Sequence, residues 1–535
     1  MGSVPKKKYA SVDEFVTNVL GLLERHDESL TMLDITDPLT GMYLLAWFYC
    51  SSFVLSLCKS AQTLHVLTWN APENQLEGEA SRFQAHVDES IDKDTVIRLI
   101  NAAQGNPHIN ELFLGYVGIN HEISMALVDL VVNDLTATER ISRTNAAPAT
   151  NENHGTGQKV WKRIALQGCP ERVGETCVAI LASQGRVKSL CLYQNHLDYH
   201  SFCSLGMVLS MNPPTLTTLD LEEHIIGDCA AALASGLSRS RTLEVLDLHD
   251  CRFDDRAIFE LSKGFQQNKH IQMIQLTRCN LLDHQCAELL RGLRRHPTIR
   301  KIYLDCNFCD MYSISAMADM IRLNETPNLR ILTFKHQLKL RGSPFPNAPI
   351  YLPAIRSLGE SLATNSTLKV LSFSNNRLDR ECVYHLMAGV NKSRLEVLDL
   401  SGCSLVDEDI EPVAHNLPPT LLRLYLHDND YSEAISKKHL LEAIRGNTVL
   451  QCIQICKEHE QCQKELSYYA QLNRGGRKIL SLSETFIPVS LWPSVLDRIN
   501  RINWNDDVEA GNGYREDVLF YFILQGPFMT ARKSR

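Results

Sequence analysis

Apolar residues recur along this chain in one local pattern, L-x-x-L-x-L-x-x-N/C-x-L. Clear copies are Leu216-Leu219-Leu221, Leu243-Leu246-Leu248-Cys251-Phe253 and Ile271-Ile274-Leu276-Cys279-Leu281. Others are Ile299-Ile302-Leu304-Asn307, Leu368-Leu371-Phe373-Asn376-Leu378, Leu395-Leu398-Leu400-Cys403-Leu405 and Leu421-Leu424-Leu426-Asn429. The fourth and sixth positions fall on one side of a short strand, and the residues between them fall on the other. Apolar residues spaced three and four apart then follow, as in Ile258, Leu261 and Phe265 or Cys286, Leu289, Leu290 and Leu293. That spacing predicts helices over 257–267 and 285–294. Each copy therefore reads as strand, turn at the Asn or Cys, and helix.

The fourth-position residues mark the repeat. They are Ile164, Leu190, Leu219, Leu246, Ile274, Ile302, Leu332, Leu371, Leu398, Leu424 and Ile453, with successive intervals of 26, 29, 27, 28, 28, 30, 39, 27, 26 and 29. The interval of 39 contains 341–353, with four prolines, and reads as a loop insertion. Weaker copies centre on Leu33, Leu67 and Leu112, for about fourteen units in all. A strand and helix of about 28 residues cannot bury their own apolar faces, so neighbours must stack. The prediction is an α/β solenoid, a horseshoe with an inner parallel sheet and outer helices. The pattern resembles the ribonuclease-inhibitor-like class of leucine-rich repeats over roughly 28–457. That resemblance implies a fold and leaves the function open, because the class hosts many unrelated partners.

Three regions follow: an N-terminal helix or cap over 1–27, the leucine-rich-repeat solenoid over 28–457, and a helical C-terminal cap over 458–535. In the last region Leu491, Trp492, Val495 and Leu496 form one apolar face, and Val518, Leu519, Phe522 and Ile523 another. A solenoid needs such a segment to cover its open end. The motifs Leu472-Asn473-Arg474-x-Gly476-Arg477, Leu491-Trp492-Pro493 with Val495-Leu496-x-Arg498, and a helix ending Gln525-Gly526-Pro527 resemble the C-terminal cap of a large uncharacterised group of repeat proteins in diatoms and related algae. That likeness implies a boundary and no activity. The polar stretch 136–158 lacks periodicity and reads as a flexible insertion. The uncharged stretch 39–58 reads as the outer helix of an early unit, with a membrane anchor as the weaker alternative.

Composition narrows the function. Lys and Arg total 54 against 62 Asp and Glu, a net charge of -8. Such a chain has no bulk attraction for phosphate backbones, so nucleic acid is not an expected partner. The first twenty residues carry Lys6, Lys7, Lys8, Asp13 and Glu14 and no continuous apolar core, which is unlike a secretory signal. The 17 cysteines form no compact framework, which fits a reducing compartment. The expected location is cytoplasmic, with a nuclear one left open by the lysine run. No phosphate-binding loop, nucleophile elbow or zinc-protease helix is present, so no enzyme activity and no cofactor are expected. Cys169, Cys251, Cys279 and Cys403 fill the N/C slot of the repeat. Cys452, Cys456, His459 and Cys462 lack paired C-x-x-C ends, and Cys452 and Cys456 are expected to face outward, so no metal site is assigned.

The outward strand positions are the candidate site. They place Asp220, Glu222 and Glu223 beside Asp247, His249 and Asp250, with Tyr303, Asp305, Tyr425 and His427 further along. Five carboxylates on two consecutive strands repel one another, and the fold does not require them there. A basic segment of a protein partner would relieve that repulsion. The expected function is a non-enzymatic protein-interaction scaffold that binds on the concave face. The alternatives are an activator of a small GTPase, since the activators of the nuclear-transport GTPase share this repeat type, and a membrane-tethered repeat protein. Those activators end in a strongly acidic tail, whereas this chain ends in the basic Arg532-Lys533-Ser534-Arg535.

Overall fold

The computed structural model describes residues 32–36, 64–67, 82–85, 93–105, 110–115, 119–132, 160–168, 186–195, 197–337, 352–478, 492–501 and 514–525. The expected N-terminal helix or cap over 1–27, the apolar stretch 39–58, the insertion 136–158 and most of 341–353 lie outside them. The chain divides into two compact units, Met1–Cys279 and Asn280–Arg535. No helix among the described residues is long and apolar enough to cross a membrane.

In the first unit the strands are β1 (Met32–Thr36), β2 (Leu64–Leu67), β3 (Arg82–Ala85), β4 (Glu111–Gly115), β5 (Trp161–Gln167), β6 (Val187–Tyr193), β7 (Thr218–Asp220), β8 (Ile225–Ile226), β9 (Val245–Asp247), β10 (Arg252–Phe253) and β11 (Met273–Gln275). Strands β1, β4, β5, β6, β7, β9 and β11 lie side by side in a parallel sheet. The repeat markers stand in one ladder, Leu33, Leu112, Ile164, Leu190, Leu219, Leu246 and Ile274, each opposite the next. Leu67 is the exception. Strand β2 pairs antiparallel with β3, and Leu33 pairs directly with Leu112, so Leu64–Leu67 is not a repeat strand. Its backbone groups find their partners in Arg82–Ala85, a pairing that the repeat pattern does not encode.

In the second unit β12 (Lys301–Tyr303), β13 (Ile331–Thr333), β14 (Val370–Ser372), β15 (Val397–Asp399), β16 (Arg423–Tyr425) and β17 (Cys452–Gln454) form the same parallel arrangement. Ile302, Leu332, Leu371, Leu398, Leu424 and Ile453 make its ladder. From Leu112 to Ile453 no marker in either ladder is more than 3% exposed. Each buried leucine contributes roughly 1.5–3 kcal/mol. The chain is thus built of stacked leucine-rich repeats, each a strand followed by a helix on the other side of the buried layer.

One backbone device recurs at the turns from Gly168 to Asp428. The residue four past the marker has a left-handed conformation, with φ of 57° at Gly168, 51° at Gln194, 61° at Glu223, 55° at Asp250 and 61° at Arg278. The second unit repeats it at Cys306, His336, Asn375, Gly402 and Asp428. For residues other than glycine this conformation costs about 1–2 kcal/mol. It aims the amide sideways into the next repeat. Glu223 N donates to His249 O at 3.0 Å, Asp250 N to Thr277 O at 2.9 Å, His336 N to Ser374 O at 2.8 Å and Asn375 N to Ser401 O at 2.7 Å. The strand ladder therefore continues around the corner.

The next residue is the N/C slot, and its side chain reaches back under the sheet. Cys251 Sγ donates to Leu221 O at 2.9 Å, and Cys279 Sγ to Leu248 O at 3.0 Å. Asn376 Nδ2 donates to Phe334 O at 2.6 Å and Phe373 O at 2.8 Å, while its Oδ1 accepts from Gln337 N at 2.9 Å. His224 and Gln337 occupy the same slot. His224 Nδ1 lies 3.0 Å from Leu221 O, and Gln337 Nε2 donates to Leu304 O at 3.0 Å. A pattern restricted to Asn and Cys misses both.

Helices follow, and aspartates start several of them. Asp254 accepts from Ala257 N at 2.7 Å, so that helix runs Asp255–Gln267, two residues earlier than its apolar face suggests. Successive helices touch backbone to backbone where glycines align. A Cβ on Gly236 would collide with the Gly206 carbonyl, and one on Gly389 with that of Gly359.

After β17 the strand series gives way to helices Glu460–Gly475, Trp492–Arg501 and Tyr514–Gln525. Leu472, Trp492, Ile499, Val518 and Phe522 pack into a separate core. Asn473 Nδ2 donates to Asn447 O and Leu450 O. Arg477 Nη2 donates to Ile444 O, Arg445 O and Asn447 O, closing the carbonyl end of helix Leu441–Gly446.

Asn376→Ala strands two buried backbone groups, Phe334 O and Gln337 N, each worth about 1–3 kcal/mol when unpaired, and leaves Phe373 O only a thiol donor. Cys403→Ala removes one long thiol contact, 3.4 Å to Phe373 O, and a weaker one within its own turn. Chemical denaturation followed by circular dichroism should show a loss for Asn376→Ala at least twice that for Cys403→Ala. Equal losses would contradict the slot's role as a polar tie.

Candidate functional site

The sheet face opposite the helices carries the residues one, three and four past each marker. In the first unit Asp220 and Asp247 are direct register partners on β7 and β9. Neighbouring strands stand about 4.8 Å apart, so these carboxylates are immediate neighbours. Glu222 and His249 follow at the third position, and Glu223 and Asp250 at the left-handed fourth. All six are half-buried. The carboxylates at the first position are pinned by their own turns. Asp220 Oδ1 accepts from Glu222 N at 3.2 Å, and Asp247 Oδ1 from His249 N at 3.0 Å.

Burial first, and the Asp247 charge second, push the Asp220 carboxyl up to about 7. Burial also raises Asp247, against the pull of the His249 amide. Glu222 is raised by burial, with the charges of Glu223, Asp247 and Asp250 adding to it. The Asp250 carboxylate raises His249. His249 Nε2 lies 3.0 Å from Asp250 Oδ2, an electrostatic contact without hydrogen-bond alignment. Arg278 Nε lies 3.2 Å from Asp250 Oδ1. Asp250 is therefore balanced within the protein. Among the described residues, no cation forms an ion pair with Asp220 or Asp247.

Upstream residues that the sequence reading omitted complete this face. Arg163 donates through Nη2 to the Tyr193 hydroxyl, and through Nε to Cys191 Sγ at 3.2 Å. Tyr193 in turn lowers the proton affinity of Asp220. Gln194 Nε2 donates to Glu223 Oε2 at 2.6 Å. The signal was present, since Tyr193 and Gln194 stand three and four past the marker Leu190, where Glu222 and Glu223 stand past Leu219.

The second unit holds the other candidates in separate places. Tyr303 and Asp305 belong to β12 and its turn, while Tyr425 and His427 belong to β16 and its turn. With β13, β14 and β15 between them, the two pairs are roughly 19 Å apart and form no common site. Asp305 Oδ1 accepts from Lys335 N at 2.8 Å. Burial raises its carboxyl. Burial raises the Tyr303 and Tyr425 phenols as well. Tyr425 packs edge-on against His427, 6.4 Å between ring centres.

The C-terminal cysteine set does not converge. Cys456 is 4% exposed and its Sγ lies 3.2 Å from Asn429 O, so it turns inward, contrary to the outward direction expected from strand alternation. Strand β17 ends at Gln454, and the chain then leaves the repeat path. His459 Nδ1 lies 3.3 Å from Ser436 Oγ, and Cys462 is fully buried. Groupings of three ligand-type atoms among the described residues occur instead at Glu222, His249 and Asp250 and at Glu411, His415 and His439.

No protein-family model matches the chain, and no curated protein matches it. Among solved structures it is similar to the complex of Rad7 and Elc1 in yeast, at 14% identity and a TM-score of 0.32, over 55% of this chain and 75% of that one. A likeness at that level says nothing of what this chain binds. The repeat assignment rests on the ladders themselves.

Asp220 holds its proton to about pH 7 when folded and releases it near 3.9 when unfolded. The folded state then binds more protons between those values, and stability falls as pH rises through them. Asp220→Asn escapes that loss. Its stability relative to the unaltered chain should improve by about 1–4 kcal/mol between pH 4 and 7.5 and hold constant above. A difference that stays flat with pH would contradict the charge arrangement.

Proposed function

We propose that this chain is a non-enzymatic binding scaffold, cytoplasmic and ribonuclease-inhibitor-like in its repeats, that holds a basic segment of a protein partner against the acidic sheet face of the Met1–Cys279 unit. One observation carries the reading. Asp220 and Asp247 sit side by side in register, half-buried, and Asp220 is raised to about 7 with no ion-paired cation at either among the described residues. That arrangement costs stability, and neither the strand ladder nor the buried leucine layer needs it. A lysine or arginine placed between the two would offset both the repulsion and the burial cost.

The rest of the face suits that role. Its backbone is fixed by the repeat ladder, so little ordering is required on binding. Glu222 and Glu223 extend the negative surface along the same turn, and Arg163 and Arg278 bound it on either side. Binding should strengthen as pH rises through about 7, because Asp220 gains its charge there. Added salt should weaken it.

Affinity purification from an extract of the source cells, read by mass spectrometry, tests this. It compares the intact chain with Asp220, Glu222, Asp247 and Asp250 all changed to Lys, and with a milder Glu222→Gln, Asp247→Asn variant. A protein retained by the intact chain, lost by both folded variants and released by high salt is the expected result. Identical partner sets from chains of equal helical content would overturn the proposal.

A further inference from the structure

A second cluster lies on the helical side of the Asn280–Arg535 unit, where two successive repeats meet. Glu411 and His415 are four residues apart on helix Asp407–His415, so they share a face. His439 comes from the next repeat. It sits in a π-helical turn, Ser436–Leu440, between the short helix Glu433–Ile435 and helix Leu441–Gly446. Such wide turns are rare and are frequent at functional sites.

The donor atoms are arranged for chelation. One ligand atom from each residue lies within 4.8 Å of the other two. Three such points share a centre within about 2.8 Å of each (4.8 Å divided by √3). Metal bonds to imidazole nitrogen and carboxylate oxygen are about 2.0–2.2 Å, so small side-chain rotations close the gap. His415 Nδ1 lies 3.0 Å from Glu411 O. A carbonyl only accepts, so Nδ1 carries the proton and Nε2 presents its lone pair. Metal-binding histidines commonly donate their other ring N–H to a carboxylate, a backbone carbonyl or water. His439 is 8% exposed, packs edge-on against His415 with 5.9 Å between ring centres, and makes no hydrogen bond to a described residue. Its side chain also lines an open depression, so its ring remains within reach of a solute.

Beside the cluster is an open depression of about 490 Å³, lined by His415, His439, Glu442 and Asn447 among others. We propose that Glu411, His415 and His439 bind one divalent transition-metal ion, with Zn²⁺ the natural fit, and that its open coordination positions face this depression. Two imidazoles and one carboxylate favour zinc-like ions over Ca²⁺ or Mg²⁺, which prefer all-oxygen shells. Three protein ligands leave room for water or a donor atom of a small molecule. The metal would also clip helix Asp407–His415 to the following repeat.

The test is a Co²⁺ titration of the full chain, thiols kept reduced, followed by calorimetry and visible absorption. The expected result is one equivalent bound at roughly micromolar affinity, with weak d–d bands and no intense sulfur-to-cobalt band. His415→Ala, at an exposed position, and His439→Gln should each weaken binding at least tenfold, and Zn²⁺ should displace Co²⁺. Thermal melting of each variant separates loss of the site from loss of fold. No binding by about 1 mM Co²⁺, a sulfur band at one equivalent, or binding that survives in the folded double variant would overturn the assignment.

Discussion

The architecture depends on one contact repeated at most turns within each unit: a left-handed residue four past the marker gives its amide to the following repeat. Without it the strand ladder would end at three residues. With it the backbone pairing extends into the corner, and the N/C slot falls where a small polar side chain can tie down the carbonyls beneath. That this position is filled by Glu223, Asp250, Arg278, Cys306 and His336 rather than by glycine throughout means the surrounding ladder imposes the conformation. The buried leucine layer supplies the energy, and the ladder supplies the register.

That register creates the electrostatics of the face. Asp220 and Asp247 meet because Leu219 and Leu246 meet. A one-residue slip would bury the aspartates and expose the leucines, so the carboxylates cannot move apart. Their shared burial and repulsion are fixed by the apolar layer below. The stability given up at Asp220 is affordable only in a frame this strongly specified. The same logic holds on the helical side. Stacking brings His415 and His439 together because they hold nearly the same place in successive repeats, 17 residues past Leu398 and 15 past Leu424, and the π turn sets the angle at which His439 meets its neighbour.

Much of this was legible in the sequence because a leucine in a ladder has one acceptable place. The markers from Ile164 to Ile453 stand in their ladders as the spacing implies, and the six acidic-face residues from Asp220 to Asp250 come together. Leu67 misled because a short apolar run carries no record of its strand partner. His224 and Gln337 were hidden in the slot because several polar side chains can reach the same carbonyl. Cys456 turned inward because the alternation rule fails where the strand ends. Tyr193 and Arg163 needed only the register carried upstream. The pairing of Glu411 and His415 with His439 was not legible, since it depends on helix phase and on a local widening that no periodicity announces.

The most direct test of the account is the titration of Asp220 itself. Carboxyl-carbon NMR of aspartate-labelled protein, with Asp220→Asn to assign the signal, would follow its ionisation in the free chain and with a short arginine-rich peptide added. The account predicts a midpoint near 7 in the free chain that falls when the peptide binds. A free-chain midpoint in the ordinary aspartate range near 4, unmoved by the peptide, would contradict it.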